Sequence, residues 1–368
     1  MEHMDDATRE DDSLTRSKNM TVRERFYDTL HFKKPEDRLP MVEWAPWWGK
    51  TLERWFCEGL SRMSPNELQE YFGLDMMLGI HIPPAKPEIP RPAGQGAGII
   101  KNSDDYDKIL PFLYQDDMLE WLKQQVLTIE GDHLEGKVII RLSMEGFFWF
   151  PRTLFGIEGH LYAFYDQPEL MHRINRDLAA FLIRGIHFLC SMLIPDMAGF
   201  AEDMSYNHGS MLSHDLFQEF LLPYYQEVIP HLKSYGIPVF VDSDGDITDM
   251  IPWLEEAGID GAYPLECQAG VNICRIRERY PRFLMMGGYD KMVMPLGEKA
   301  MRKEFERILP VMRSGGYIPS VDHQTPPGVS LDDYRIYLRL FSEYVKRAVG
   351  QVTKKVCYDT GGQVIGKN

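Results

Sequence analysis

Residues 237–246 read Ile237-Pro238-Val239-Phe240-Val241-Asp242-Ser243-Asp244-Gly245-Asp246. A short β-branched and aromatic run breaks off into three acids around a glycine, as a buried strand does when its end carries polar groups. The same arrangement recurs downstream. Ile259–Leu265 ends at Glu266, Phe283–Tyr289 at Asp290, and Tyr317–Val321 at Asp322 and His323. Upstream, Leu39–Val42 ends at Glu43, Leu74–Ile80 at His81, Val138–Met144 at Glu145, and Met197–Ala201 at Glu202 and Asp203. Eight strand-like segments alternating with helical stretches predict an α/β fold, a (β/α)8 TIM barrel. In that fold the C-terminal strand ends share one mouth, where chemistry takes place. Carboxylates crowded together are unfavourable unless some hold protons or a cation sits among them. A metal ion is the simplest reading.

Helical periodicity falls at Thr21–Phe32, Gly49–Leu60, Pro65–Tyr71, Asp116–Ile129, Gln167–Met192, His214–Tyr235, Asp246–Gly258, Val271–Tyr280, Glu298–Ser314 and Leu331–Val349. Ser64-Pro65-Asn66-Glu67, Ser213-His214-Asp215 and Ser330-Leu331-Asp332-Asp333 are helix-start signatures. The Pro- and Gly-rich stretch 83–98 follows the second strand and is read as an insertion, a hairpin or loop over the mouth. Residues 1–19 form a polar lead-in, 20–350 the barrel, and 351–368 a C-terminal tail.

Composition narrows the function classes. Net charge is −15 over 368 residues, and no basic patch interleaved with aromatics occurs, which argues against nucleic acid or an anionic membrane surface. No apolar run is long enough to span a bilayer, and the N-terminus lacks the apolar core of a signal peptide. The five cysteines are scattered with no CxxC pair, which fits a reducing cytoplasm better than a disulfide framework.

Asp242, Glu266 and His323 are the candidate catalytic and metal-ligating residues, one from each of three strand ends. Whether Asp244 or Cys267 joins them stays open. Asp246 reads as the cap of the next helix. Asp322 could orient the His323 ring through its second nitrogen, and an ion pair of Glu266 with Arg275 is the plainer alternative for that acid. Glu145 precedes Phe147-Phe148-Trp149-Phe150, so Glu145 and Phe148, with Trp44 and Trp47, are candidates for holding a flat ring. Tyr206 and His208, after Glu202-Asp203, are candidates for polar contact with a substrate. Gly287-Gly288-Tyr289-Asp290-Lys291 lacks Walker spacing and is read as a close backbone approach.

The second half resembles the uroporphyrinogen decarboxylase-like superfamily, which includes the decarboxylase itself and corrinoid-dependent methyltransferases. The residues carrying the likeness are 202–213, Leu216–Pro223, Val241–Gly245, Ala262–Gly270, 287–291 and Gly315–Pro327. The likeness extends from roughly Met20 to Val349. It implies a (β/α)8 barrel with its site at the C-terminal mouth. The decarboxylases bear arginines after the first strand and a central tyrosine. Here the matching stretches are Glu43–Lys50, without arginine, and Thr153–Gly159, with Phe155. The zinc methyltransferases of the superfamily carry His-x-Cys after the fifth strand and a Cys after the eighth, which are matched here by Asp242-Ser243-Asp244 and Asp322-His323.

The resemblance therefore implies a methyltransferase that takes methyl groups from ethers or amines, and the aromatic residues beside Glu145 favour a methoxylated aromatic substrate. The acceptor would be the cobalt of a corrinoid (cobalamin) supplied by a partner protein. A bound Zn2+ would assist, because nitrogen and oxygen ligands suit it. A homodimer is compatible with the sequence. The alternative is a metal-free acid–base lyase using Glu145 and Glu266.

Overall fold

The structure, a computed structural model, describes residues 20–45 and 47–350. The expected lead-in 1–19 and tail 351–368 lie outside the described residues. The strands in chain order are β1 (Met76–Ile82), β2 (Val138–Glu145), β3 (Met197–Ala201), β4 (Ser205–Tyr206), β5 (Gly209–Ser210), β6 (Val239–Asp242), β7 (Gly261–Tyr263), β8 (Leu284–Tyr289) and β9 (Tyr317–Val321). Seven form one parallel sheet in the order β1-β2-β3-β6-β7-β8-β9, while β4 and β5 pair as a small antiparallel hairpin. Helices connect successive sheet strands, so every C-terminal strand end faces the same way.

The sheet is curled around its own core. Met77, Ile139, Met197, Phe240, Tyr263, Leu284, Met286 and Ile318 form one buried cluster drawn from all seven strands. Phe26 and Leu30, from the helix Val22–Leu30, plug its lower end. The strand period of two then fixes which side chains look into the barrel higher up. On β1 it is Gly79 and His81; on β2, Arg141, Ser143 and Glu145; on β6, Asp242.

Only seven of the eight expected strands form ladders. Leu39–Val42 is extended and adds Val42 to the inner cluster, but it pairs with neither β1 nor β9 as a strand. Its donors are used elsewhere. Pro40 has no N–H, Met41 N donates to the Asp75 carboxylate at 2.8 Å, and Leu39 N donates to Val345 O at 3.3 Å. Arg38 grips the same Asp75 at 2.6 and 2.7 Å. The segment fills the gap in the curled sheet through side chains rather than ladder hydrogen bonds.

Residues 83–102 hold no hairpin. Ala85 bridges Leu113 and Ala97 bridges Gly156, and the amides of Ile99 and Ile100 donate to Leu154 O. The helix expected over His214–Tyr235 breaks into His214–Phe220 and Leu222–Ser234, because Pro223 cannot supply an amide to the preceding turn. Two helices, Trp149–Phe155 and Ile157–Asp166, form where the sequence reading placed none, and the first takes up the aromatic run after Glu145.

Candidate active site

Three side chains from separate strand ends converge at the mouth. Asp244, Glu266 and His323 each offer a ligand atom within 4.8 Å of the others. His323 Nε2 lies 3.5 Å from Asp244 Oδ1. Gly245 N donates to Glu266 Oε2 at 2.9 Å, which ties the two acidic loops together. Gly245 has φ +89°, and a Cβ there would come within 2.5 Å of the Tyr206 backbone. Only glycine allows this close approach, so the hairpin β4–β5 and the Asp244 loop seat each other. Burial pushes the Asp244 carboxyl up to about 6, and the nearby charges of Glu266 and Asp203 add to this against the opposing pull of His323 and Lys291. A cation among these three groups would relieve that strain.

The sequence placed Asp242, Glu266 and His323 together, and the structure exchanges one member. Asp242 closes β6 facing the barrel interior, and Asp244, two residues on, stands with Glu266 and His323. Burial raises the Asp242 carboxyl to about 7; Arg141 pulls it down, and Asp203 and Asp244 push it up. Asp322 does not orient His323. It is fully buried and accepts from Lys291 Nζ and Cys267 N, both at 3.0 Å. Glu266 makes no ion pair with Arg275 among the described residues. Cys267 donates its thiol to Gly288 O at 3.4 Å and stands outside the group of three. Asp246 is not the cap of the next helix: it accepts from Thr248 N at 2.9 Å in the turn before it, while the cap positions fall at Ile247 and Met250.

The expected substrate contacts divide. Trp44 stays at the mouth, its ring 6.0 Å from His323 and 5.2 Å from Tyr263, with Nε1 donating to Val321 O at 2.9 Å. Glu145 faces the interior, 3.8 Å from His81 Nε2, and burial lifts its carboxyl to about 7. Burial also lowers the His81 imidazole, opposed by the hydrogen bond to Ser143 O. Tyr206 and His208 are exposed on the β4–β5 hairpin. Trp47 and Phe148 are corrected to core positions. Trp47 packs against Trp55, Phe72 and Tyr334, and Phe148 against His160 and Phe164. One functional candidate was missed. Arg141 is a lone arginine inside the strand Val138–Met144, and its spacing from Glu145 could have shown that both face inward.

Two strand-end acids have structural duties outside the mouth. Glu202 accepts from Phe147 N, Phe148 N and Trp149 N at 2.8, 2.8 and 3.0 Å, and from the Tyr225 hydroxyl. Glu43 is buried against the helix Leu331–Ala348, accepts from Tyr334 Oη at 3.1 Å, and leaves Oε2 without a partner among the described residues. Burial holds its carboxyl protonated up to about 8, opposed by the nearby hydroxyls of Tyr334, Tyr337 and Ser320, against 4.5 unperturbed. Folding therefore takes up a proton between those two values, and stability falls as pH rises through that window. In denaturant melts, Glu43→Gln should flatten that slope. Its advantage over the native protein should grow towards pH 8, reaching on the order of 2 kcal/mol.

The family model described as Uroporphyrinogen decarboxylase (URO-D) matches residues 102–344. A solved methyltransferase from Methanosarcina mazei is similar with a TM-score of 0.63 at 14% identity, over 88% of this chain and 99% of that one. A Listeria monocytogenes protein assigned as a vitamin-B12 independent methionine synthase gives 0.44 at 12% identity, over the same shares of the two chains. No curated protein matches the sequence. Among the described residues no helix is long and apolar enough to cross a membrane.

Proposed function

Because the chain belongs to the uroporphyrinogen decarboxylase (URO-D) family, we propose that it is a corrinoid-dependent methyltransferase. In this reading it moves a methyl group from a methoxylated aromatic substrate to the cobalt of a corrinoid held by a partner protein. The observation that carries it is the convergence of Asp244, Glu266 and His323 within 4.8 Å at the barrel mouth. Their nitrogen and oxygen donors fit a divalent ion, zinc first, with harder ions also served by the two carboxylates. Such an ion, when bound, supplies Lewis-acid polarisation of the methoxy oxygen. The shared fold with the Methanosarcina mazei methyltransferase supports the reaction class.

The chain's own residues do the rest. Trp44, beside His323 and Tyr263, offers a flat wall for the substrate ring. As the methyl carbon–oxygen bond breaks, the departing oxygen needs a proton. Glu145, titrating near neutrality on the interior face, is the group to supply it. The acids of the mouth disfavour a polycarboxylate tetrapyrrole, so decarboxylation of uroporphyrinogen does not fit.

A second reading, the metal-free acid–base lyase expected with Glu145 and Glu266, is better served by Glu145 and Asp242, both raised to about 7. One experiment separates the two. The purified protein is assayed anaerobically with reduced cobalamin and a panel of methoxybenzenes, and its metal content is measured alongside. The methyltransferase reading expects about one divalent ion per chain and demethylation that stops on chelation and returns with zinc. Turnover indifferent to chelation would reject it.

A further inference from the structure

The barrel interior stays open to solvent below the metal-ligand candidates. Gly79 is exposed although it sits in the middle of β1, and Arg141, Ser143 and Glu145 are partly exposed, while the alternating Ile80, Leu142 and Met144 are completely buried. A cleft therefore descends the inner face of β1 and β2 to the level where Gly79 pairs with Arg141. A Cβ on Gly79 would meet nothing within 4 Å, so the space beside the arginine is empty of protein. Met77, Ile139 and Met197 floor the cleft with buried apolar side chains.

Arg141 is poorly satisfied where it stands. Its Nε and Nη1 are shut from solvent without a hydrogen-bond partner among the described residues. Asp242 feels its charge, yet no described carboxylate forms an ion pair with it. Its Cζ lies 5.4 Å from the Tyr263 ring, level with the upper part of the interior. Leaving guanidinium donors unpaired is costly, so such a group marks a place that a ligand completes.

We infer that Arg141 is the recognition point for a carboxylate on the substrate, so that the molecules demethylated are methoxylated aromatic acids seated acid-end down. The aromatic and methoxy parts of this inference rest on the methyl-transfer reading; the carboxylate part does not. A planar carboxylate matches the guanidinium fork, and a single arginine in an acidic mouth balances one negative charge rather than two. The ring then lies beside Tyr263 and Trp44, with the opposite end directed towards Asp244, Glu266 and His323.

Calorimetric titration of the full chain with benzoate and with benzamide, without corrinoid, tests the inference. Benzoate should bind at least about tenfold more tightly than the amide. Arg141→Gln should erase that preference, and Arg141→Lys, which keeps the charge without the fork, should retain part of it. Gly79→Val, whose Cβ meets no atom within 4 Å, should weaken both ligands by narrowing the cleft, a result that holds even where an Arg141 variant fails to fold. Stripping metal with a chelator should leave the benzoate preference intact. Equal binding of acid and amide, a preference that survives Arg141→Gln, unaltered benzoate binding in Gly79→Val, or loss of the preference with the metal would each overturn it. If benzoate binds as expected and no methoxybenzoate is demethylated, the methyl-transfer reading fails and the carboxylate site stands.

Discussion

If the chain is the proposed metal-assisted methyltransferase, replacing His323 by alanine, Glu266 by glutamine or Asp244 by asparagine is expected to abolish binding of a divalent ion, with methyl transfer falling at least about a hundredfold. Elemental analysis of the purified variants and the anaerobic demethylation assay read the two effects separately. The geometry makes a sharper demand. Asp242 is outside the group of three, so Asp242→Asn should keep its metal while Asp244→Asn loses it. The reverse result would restore the grouping drawn from sequence and sink the one drawn from structure. The three side chains are partly exposed, and none belongs to the hydrophobic core. Their removal should therefore leave the melting temperature nearly unchanged, which separates lost chemistry from lost fold.

The largest effect on stability is expected from Glu202→Ala. That carboxylate is completely buried and accepts from three consecutive amides at the start of the helix Trp149–Phe155 and from the Tyr225 hydroxyl. Removing it leaves four donors unpaired away from water, each costing about 1–3 kcal/mol, partly offset by local rearrangement. A net loss of roughly 4 kcal/mol or more is the reasonable figure. Urea denaturation followed by circular dichroism should show it as a lower midpoint with little change in slope. Glu202→Gln keeps the shape and one acceptor oxygen, and should fall in between. A midpoint for Glu202→Ala within experimental error of the native protein would mean that the carboxylate is not the helix's anchor.

Strand and helix alternation was legible because β3, β6, β7, β8 and β9 are almost wholly buried on both faces and the strand ends are marked by acids. The eighth ladder was not legible as absent. Leu39-Pro40-Met41-Val42 has the apolar content of a strand, and only the tertiary partner Asp75 explains where the Met41 amide goes. At the site, sequence supplied the strand ends but not the side each acid faces. Glu43 and Glu202 end apolar runs just as Glu266 does, yet they serve as core hydrogen-bond partners. Asp322 is taken by Lys291, a pairing across 31 residues that no local pattern announces. The choice of Asp244 over Asp242 turns on Gly245, whose positive φ folds the loop back over Tyr206 and against Glu266. The aromatic run after Glu145 misled for a simpler reason. It begins a helix, and a helix turns Phe148 inward where an extended wall would have shown it to the cleft.

The unladdered segment at residues 39–44 has no register to lose. Each of the seven strands is locked to its neighbours residue by residue, so altering the length of one would displace the acids at its end. Trp44, by contrast, hangs on a stave held by one indole hydrogen bond, its packing and scattered polar contacts. The surface proposed to meet a substrate's ring can therefore be reshaped by changes in this stave while Asp244, Glu266 and His323 keep their places. On the proposed reading, selectivity and chemistry occupy separable pieces of one barrel.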